Sequence, residues 1–565
     1  MTKEVIGREC RFALHIPAKH GYRSDLHLIK ECIHYSDGST EPKISFIRDF
    51  KRKFWITKPA YRNHKDKKEW EHKDRLLEYE CTQSELRDRV ANALDMTYSS
   101  DHLKKLTLSP YVYGTDMTST SLIKKNYQAK WPAFKTPYSV AYLDIESRPM
   151  GKKMTEIIMI TVVFKDIVYT AILEDVVKKV GVLDIAVDRA MARYLPQYEG
   201  KLRCKIVQCK TELEMIERCF AVLHKLNPDI LAIWNMDYDV QRILESIERT
   251  GMDAKDVLSN PNIPPDMRFC KYKQGKSKKI TASGKIIPIN PADRWHTLYL
   301  SAGFYVLNAM CVFRQIRSDN GERSSYSLDS VLQDELGVRK LKFTEADKYK
   351  NLEWHMFMQE NYIIEYIVYN RYDCLSMQEL ENKNTDLSIT IPEFAGITDF
   401  DRYNSLPKKI VDAMYCYLEP EHLVLGTTGY EDRKIPFDTE ESDGVEEVEE
   451  DKTLGLAGWI VTLQAELQVG GLDIAKDFPG VHTNLRGMVY DSDAVAAYPN
   501  CISTMNVSKE TTKREVIRID GIPEEVFRLQ NLNLMSGPIN AVEYCVNMFN
   551  FPPLAKLGQL YEKNK

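Results

Sequence analysis

The chain has 565 residues, of which 43% are hydrophobic and 28% charged, and its formal net charge is −5. This composition is ordinary for a soluble globular protein, and the length predicts about two to four domains. The small negative charge excludes a uniformly basic nucleic-acid-binding protein, although local basic grooves are compatible with it.

Secretion and membrane insertion are not indicated by the sequence. The N-terminal segment MTKEVIGREC lacks an apolar signal region, and no apolar run reaches the roughly 18 residues typical of a membrane span. The twelve cysteines form no CxxC pair, and neither Cys204 nor Cys209, the closest pair, lies in a zinc-binding cluster. We therefore expect a soluble cytoplasmic protein with reduced thiols and no membrane partner.

The chain changes character near Tyr138. Residues 1–135 mix short strand-like runs with charged stretches of helical character, such as KKEWEHKDRLLEYE, and we expect a separate N-terminal domain there. After it, YSVAYLDIES, EIIMITVVF and IVYTAIL predict three buried strands rich in β-branched residues.

The pattern that follows predicts an α/β domain over residues 136–385. AVLHKLNPDILAIWNMDYDVQRILESIERTG predicts a helix, a strand and a second helix, and WHMFMQENYIIEYIVYNRYDCLSMQELENK predicts one long helix. Strands that alternate with helices are typical of α/β domains. A further boundary near LSITIPEFAG begins the region 386–565, in which the acidic segment 438–451 is predicted to be a solvated loop.

Acidic residues gather at three points of the α/β domain. Asp144 and Glu146 occupy alternate positions of a strand, so they share one face. Asp239 lies where a strand gives way to a helix, and Tyr369 and Asp373 are four apart on one helical face. Each pattern alone is more often structural, so a functional interpretation depends on their convergence.

Convergence of these carboxylates would create a metal site. Four carboxylates at one point repel one another and require cations to remain ionised. Two divalent ions about 4 Å apart would balance them and would support phosphodiester cleavage. Oxygen ligands favour Mg²⁺ or Mn²⁺, and the hydroxyl of Tyr369 could orient the attacking water. The pattern predicts metal-dependent hydrolysis of a nucleic-acid strand.

The order DIE, N…YD and YxxxD resembles the three exonuclease motifs of family B DNA polymerases, in particular the phage replicative type, and SSYSLDSVLQDELG is also similar to that family. The resemblance implies a ribonuclease-H-like 3′–5′ proofreading exonuclease. It implies that two Mg²⁺ or Mn²⁺ ions are bound and that Tyr369 positions the water. The metal ligands that it implies are Asp144, Glu146, Asp239 and Asp373.

The second motif departs from the family pattern. Only Met236 and Asp237 separate Asn235 from Tyr238, where the family usually has three residues. The role of Asn235 is therefore open, and Asp237 is an alternative to Asp239 as the metal ligand.

The stretch GMVYDSDAVAAYPN resembles motif A of the polymerase palm. Counting back from the Tyr-Pro pair aligns Asp493, rather than Asp491, with the metal-binding aspartate, and implies that Tyr498 packs under the sugar of a bound nucleotide. Ala496 and Ala497 replace the usual Ser-Leu pair, so we expect looser packing of the pocket. The alternative is that this strand persists only as a structural platform.

The remaining polymerase motifs are missing from the sequence. Neither an Asp-Thr-Asp turn nor the Asn-Ser-x-Tyr-Gly helix of the fingers occurs. Residues 386–565 are therefore expected to be a partial palm that carries motif A. We infer a split or truncated polymerase, in which a second polypeptide supplies the fingers, the rest of the palm and the thumb.

DNA contacts are predicted from the second motif and the lysine-rich segment CKYKQGKSKKITASGKIIP. In the family a β-hairpin in this region helps to separate primer from template, and lysines there could neutralise phosphates. The alternatives are a solvated lysine-rich hairpin and, for Tyr238, core packing. The predicted DNA-binding residues are Asn235, Tyr238, Lys273, Lys276, Lys278 and Lys279, and Lys271 and Lys285 lie in the same segment.

The resemblance thus implies an α/β and α+β multidomain protein with an N-terminal domain, an exonuclease domain and a partial palm. Its expected partners are the single-stranded 3′ end of a primer, a primer–template, a second polymerase polypeptide, a sliding clamp and other replisome proteins. If the protein is viral, the expected compartment is the host-cell cytoplasm. The alternatives are a stand-alone 3′–5′ DNA exonuclease and a non-catalytic replication scaffold.

Overall fold

The structure is a computed structural model, and it describes most of the first 427 residues. These are residues 3–18, 24–65, 67–68, 70–96, 103–107, 109–149, 155–280, 286–317, 323–400 and 406–427, together with the backbone of 513–514 and 535–536; at 104–105, 280 and 406–407 only the backbone is described. The chain divides into two compact units, Met1–Val448 and Glu449–Lys565. The motif A residues Asp491, Asp493, Ala496, Ala497 and Tyr498, the acidic segment 438–451 and Lys285 lie outside the described residues.

The N-terminal part of the first unit is built on two small antiparallel sheets and one strand pair. The first sheet contains β1 (Val5–Ile16), β2 (Leu26–Tyr35) and β3 (Thr40–Arg48). In the second, β4 (Arg52–Thr57) lies between β6 (Leu76–Cys81) and β7 (Val112–Tyr113), whereas β5 (Trp70–His72) pairs with a strand near the end of the unit. The helices are α1 (Leu86–Ala93), α2 (Leu103–Leu106) and α3 (Ser119–Lys130).

The helical expectation for KKEWEHKDRLLEYE was wrong, because this stretch forms β5, a short 3₁₀ turn and β6. Leu76 and Cys81 are buried at the two ends of β6, which pairs along its length with β4. Glu78 accepts hydrogen bonds from Lys53 Nζ at 2.5 Å and Trp55 Nε1 at 3.2 Å. Cross-strand pairing therefore overrides the helical tendency of its charged residues.

A mixed eight-stranded sheet forms the centre of the unit, in the order β11-β10-β9-β8-β12-β17-β16-β13. Every residue of β9 is buried, so this strand is covered on both faces. The strands are β8 (Val140–Ser147), β9 (Ile157–Phe164), β10 (Ile167–Leu173), β11 (Arg203–Cys209), β12 (Ile230–Ile233), β13 (Cys270–Lys273), β16 (Thr297–Leu300) and β17 (Tyr305–Asn308). A hairpin of β14 (Lys278–Ile280) and β15 (Ile286–Pro288) follows β13.

Helices cover this sheet, except for the last, which packs with the second small sheet and leads to the strand that pairs with β5. They are α4 (Glu174–Val177), α5 (Leu183–Tyr194), α6 (Glu212–Leu226), α7 (Met236–Glu248), α8 (Ala254–Leu258), α9 (Ala309–Ile316), α10 (Leu328–Leu336), α11 (Asn351–Asn361), α12 (Ile363–Asn384), α13 (Ile391–Ala395) and α14 (Leu406–Leu418). The partner of β5 is β18 (Leu423–Leu425). In the second unit, β19 (Lys513–Arg514) pairs with β20 (Met535–Ser536).

The sequence-based prediction of the central elements is confirmed except at one helix. The three predicted strands are β8, β9 and β10, and the predicted helix, strand and helix are α6, β12 and α7. The predicted long helix is instead two helices, because the backbone of Tyr362 leaves the helical region at φ −135° and ψ 47°. The break allows α11 to leave the axis of α12, and α12 stays buried over most of its length.

A buried ion pair joins the first sheet to the central one. Lys30 Nζ lies 2.9 Å from Asp229 Oδ1 and also donates to the carbonyl oxygens of Asn227 and Pro228, at 2.8 and 2.7 Å. Asp229 accepts a further hydrogen bond from the Ser139 amide at 2.9 Å. Because these groups are satisfied, β2 is held against the start of β12. Within the described ranges, no helix combines the length and apolar character that crossing a membrane requires.

Candidate active site

The four predicted carboxylates come from three elements that meet at one edge of the central sheet. Asp144 and Glu146 lie on one face of β8, Asp239 in the first turn of α7 and Asp373 on α12. One carboxylate oxygen from each of Asp144, Glu146 and Asp373 lies within 4.8 Å of the other two. Asp239 is buried and interacts electrostatically with the other three. The structure thus places three of the acids within metal-binding distance of one another and Asp239 near enough to interact with their charges.

Strand topology explains why residues so distant in sequence meet. β12 runs parallel to β8, so the carboxyl ends of both strands lie at the same sheet edge. α7 begins there, and the Asp239 amide donates to the carbonyl of Asn235 at 3.1 Å. On the neighbouring helix, Arg371 Nε donates to Thr170 Oγ1 at 3.0 Å and so anchors α12 on β10.

Three further side chains hold the carboxylates in place. Lys340 Nζ donates to Asp373 Oδ2 at 2.6 Å, and Asn370 Nδ2 donates to Asp144 Oδ2 at 2.6 Å. The hydroxyl of Tyr366 donates to Glu146. The sequence analysis missed all three residues. Tyr366 and Asn370 share the helical spacing of the YxxxD motif and could have been found by extending it. Lys340 lies in a loop without a periodic pattern.

Two residues of α11 support Tyr366 from the other side. His355 Nδ1 lies 2.7 Å from the Tyr366 hydroxyl and 3.7 Å from Glu146 Oε2. Burial, with a smaller contribution from Lys340, lowers the pKa of His355 to about 4. Gln359 Nε2 donates to the carbonyl of Ser147 at 2.9 Å. The break at Tyr362 is therefore what brings α11 against the acidic residues.

The pKa values of all four carboxyl groups are raised. For Asp144 the causes are burial and then the neighbouring charges of Asp239, Asp373 and Glu146. Burial raises the pKa of Glu146 to about 7 although the hydrogen bond from Tyr366 opposes it. Burial and the charge of Glu146 raise the pKa of Asp239, and burial raises that of Asp373 against the effect of Lys340. The ionised forms need additional positive charge at this position.

The donor set fits a hard divalent cation. Lys340 supplies a single positive charge against four carboxylates, and Asp373 Oδ1 is buried without a hydrogen-bond partner among the described residues. Carboxylate oxygens are the ligands that Mg²⁺ and Mn²⁺ prefer. Asp144, Glu146, Asp239 and Asp373 could hold such an ion, and binding would relieve both their repulsion and the unpaired oxygen.

Tyr369 lies beside these carboxylates on α12. Lys340 Nζ donates to its hydroxyl at 3.3 Å, and its ring lies 5.0 Å from that of Trp354 and stacks on that of Tyr366 with centroids 6.0 Å apart. Burial and the charge of Asp373 raise the pKa of Tyr369. The phenol therefore keeps its proton at neutral pH and is available as a hydrogen-bond donor.

The other residues of the second motif lie outside the carboxylate group. Asp237 accepts hydrogen bonds from Gln241 at 2.6 Å and Gln274 at 3.2 Å, so it is engaged outside the carboxylate group. Asn235 is exposed. Tyr238 is 41% exposed, and its hydroxyl bonds to that of Ser147. The geometry thus favours Asp239 over Asp237 as a ligand.

The predicted lysines lie on β13, in the loop that follows it and on β14. The side chains of Lys271, Lys273, Lys276, Lys278 and Lys279 are exposed. Lys278 and Lys279 pair with Pro288 and Ile287 across the hairpin. Their side chains do not join the carboxylate group, so they present positive charge to solvent.

Comparison with known proteins identifies one related region. Residues 99–287 match the family model described as DNA polymerase family B, exonuclease domain. A search of curated proteins found no match to this chain. The matched range contains Asp144, Glu146 and Asp239, and the mixed sheet is consistent with a ribonuclease-H-like exonuclease domain. The match supports an enzymatic 3′–5′ exonuclease region of the family B type, which is expected to bind DNA.

Proposed function

We propose that the chain hydrolyses the 3′ end of single-stranded DNA, as the proofreading part of a family B DNA polymerase of the phage replicative type. The observation that carries this proposal is that Asp144, Glu146 and Asp373 offer carboxylate oxygens within 4.8 Å of one another, with the buried Asp239 in electrostatic interaction with all three. Structural ion pairs would place cations beside such acids, whereas among the residues that the structure describes one lysine, Lys340, accompanies these four. The family match over residues 99–287 supports the same reaction class.

Each residue at the site has a proposed part in phosphodiester cleavage. The four carboxylates would hold two divalent ions, which when bound activate a water and stabilise the leaving oxygen. The protonated hydroxyl of Tyr369 would orient the attacking water. Lys340 holds both this hydroxyl and Asp373, so it keeps the water-orienting group aligned with the carboxylates.

DNA would reach the carboxylates past the exposed residues of the second motif and the hairpin. Tyr238 offers an exposed ring on which an unpaired base can stack, and Asn235 beside it offers an amide for polar contact. Lys273, Lys276, Lys278 and Lys279 would neutralise phosphates, so affinity should fall with rising salt concentration. The role in proofreading implies that the primer–template and other replication proteins, a sliding clamp among them, are partners.

The polymerase part of the proposal depends on sequence. The resemblance of GMVYDSDAVAAYPN to motif A supports Asp493 as a palm metal ligand and Tyr498 as the residue under the nucleotide sugar. A single palm carboxylate cannot support two-metal nucleotidyl transfer. Nucleotide addition would therefore need a second palm acid, fingers and a thumb, which come from a second polypeptide in a split polymerase and from the rest of the same chain in a truncated one.

Hydrolysis of labelled single-stranded DNA by the full chain in Mg²⁺ tests the nuclease. Release of nucleoside monophosphates is expected, with complete loss on chelation and in Asp144→Ala and Asp239→Ala. Asp237→Ala is the matched control within the same motif and should retain activity. Hydrolysis that survives Asp144→Ala, or an absence of hydrolysis in the wild type, would overturn the assignment. Incorporation of dNTPs on a primed template when the chain is combined with the missing polymerase portion, but not when it is alone, would distinguish a polymerase component from a stand-alone exonuclease.

A further inference from the structure

A second group of metal-ligating side chains lies in the first sheet. His15 on β1 pairs directly with His27 on β2, and Asp25 precedes His27 by two positions, so all three share one face of the strand pair. The two imidazole rings stack with centroids 5.0 Å apart. One possible ligand atom from each residue lies within 4.8 Å of the other two.

Neighbouring hydroxyl groups fix the orientation of these side chains. Asp25 Oδ1 is 2.6 Å from His15 Nε2 and accepts from Ser84 Oγ at 2.7 Å, while Asp25 Oδ2 accepts from the Ser84 amide at 3.2 Å. His27 Nε2 lies 2.6 Å from Ser119 Oγ. Such outer contacts are what set ring orientation and tautomer around metal-binding histidines.

One ring nitrogen in this group is unsatisfied. His27 is fully buried, and its Nδ1 atom has no hydrogen-bond partner in the part of the chain that the structure describes. A buried polar atom without a partner is costly, and a ligand at Nδ1 would relieve that cost. Since Ser119 occupies Nε2, Nδ1 is the nitrogen that remains for one.

We propose that His15, Asp25 and His27 bind a divalent transition-metal ion of the Zn²⁺ class. Two imidazole nitrogens and a carboxylate oxygen suit Zn²⁺, whereas Mg²⁺ prefers oxygen ligands alone. Ligands about 2.0–2.2 Å from a tetrahedral ion lie about 3.3 Å from one another. The ion would replace the proton between His15 and Asp25, so the present 2.6 Å contact must open by less than about 1 Å.

The surroundings of His15, Asp25 and His27 allow an ion to enter, and a bound ion would have a structural role. The side chain of His15 is 22% exposed, which leaves a path from solvent, while Asp25 is buried. Through Ser84 and Ser119 the group links the β1–β2 pair to the segment before α1 and to the first residue of α3. Metal binding would therefore stabilise this part of the fold independently of the exonuclease residues.

A second histidine-containing group in the same sheet provides a matched control. Glu9, Cys32 and His34 also offer ligand atoms within 4.8 Å of one another. Here, however, the Glu9 carboxylate forms an ion pair with Arg11 at 3.2 Å and accepts a hydrogen bond from Thr136 at 3.0 Å. The Arg11 guanidinium therefore already balances the charge that a metal ion would balance. We expect no metal binding at this group.

Zn²⁺ titration of the full chain against a chromophoric chelator tests the proposal. Saturating Mg²⁺ is present throughout so that the four exonuclease carboxylates are occupied. The wild type and His34→Gln should each bind about one more equivalent of Zn²⁺ than His27→Gln. Zn²⁺ should raise the Tm of the wild type by about 2 °C or more, and leave that of His27→Gln unchanged. Asp144→Ala should bind Zn²⁺ as the wild type does.

Equal Zn²⁺ stoichiometry in the wild type and His27→Gln, or no effect of Zn²⁺ on the Tm of the wild type, would overturn the site. His15→Asn serves as a second variant if His27→Gln does not fold, because His15 is only partly buried. It should lose the same equivalent of Zn²⁺, and retention of that equivalent in a folded His15→Asn protein would equally contradict the proposal.

Discussion

Within the described ranges, Lys340 and Asp373 form the one charge-balanced contact of the four-carboxylate group, with Nζ 2.6 Å from Oδ2. The same ammonium donates to the hydroxyl of Tyr369 at 3.3 Å, so it couples a proposed metal ligand to the proposed water-orienting group. Asp373 is 33 residues from Lys340 in sequence. This contact is therefore a product of the fold and a direct test of how the site works.

Replacement of Lys340 by methionine should lower the rate of single-strand hydrolysis by about 10- to 100-fold, the usual cost of removing a group that orients metal ligands. The reason is that Asp373 and Tyr369 lose their common hydrogen-bond donor. The measurement is kcat on a labelled oligonucleotide at saturating Mg²⁺. Lys342→Met, which removes an exposed lysine two residues away, should leave kcat unchanged. Equal effects of the two substitutions would argue against a positioning role.

Tyr366→Phe should reduce hydrolysis and raise the Mg²⁺ concentration needed for the half-maximal rate, by about 10- to 100-fold. The substitution removes only the hydroxyl that donates to Glu146, and the aromatic packing is kept. Rate against Mg²⁺ concentration is the readout. Tyr194→Phe is the control, since its ring packs on Phe343 away from the carboxylates. A Tyr366→Phe enzyme with wild-type Mg²⁺ dependence would show that Glu146 needs no such support.

Asp144→Asn should make the metal-free protein more stable, by about 1 kcal/mol or more, while abolishing hydrolysis. An asparagine oxygen can still accept from Asn370, and one buried charge is removed from a group of like charges. Thermal unfolding in chelator at pH 8 gives the comparison. Added Mg²⁺ should raise the Tm of the wild type more than that of the variant. Asp237→Asn, outside the buried group, should change neither value.

His224 should make the fold sensitive to mild acid. Burial lowers the pKa of its imidazole to about 4, although its hydrogen bond to the Leu258 carbonyl opposes the shift. The unfolded chain titrates near about 6.5. Because the folded pKa is the lower one, the stabilisation is complete above pH 6.5 and is lost as the pH falls towards 4, by up to about 3 kcal/mol.

Urea unfolding of His224→Gln at pH 7 and pH 5 tests this sensitivity. The variant should be less stable at pH 7, because it loses the ring contacts with Phe220 and Phe304, and it should lose less stability than the wild type on acidification. If the variant and the wild type lose the same amount of stability between pH 7 and pH 5, His224 is not the titrating group.

The local patterns of this sequence determined much of the architecture. Runs of β-branched residues predicted β8, β9 and β10, and alternation placed Asp144 and Glu146 on one face of β8. Helical spacing likewise placed Tyr369 and Asp373 together on α12. Side chains repeat every two residues in a strand and about every 3.6 residues in a helix, so these features depend only on neighbours in sequence. They can be predicted without knowing which segment packs against them.

Only the tertiary structure decided which residues donate hydrogen bonds to the carboxylates and which local secondary-structure preferences are overridden. The donors to the carboxylates include Lys340 from a loop, and α11 approaches Tyr366 because the backbone breaks at Tyr362. The charged stretch at residues 67–80 became β5 and β6 because β4 and β18 supplied hydrogen-bonding partners. Contacts between distant segments depend on chain topology and burial, and no local period encodes them.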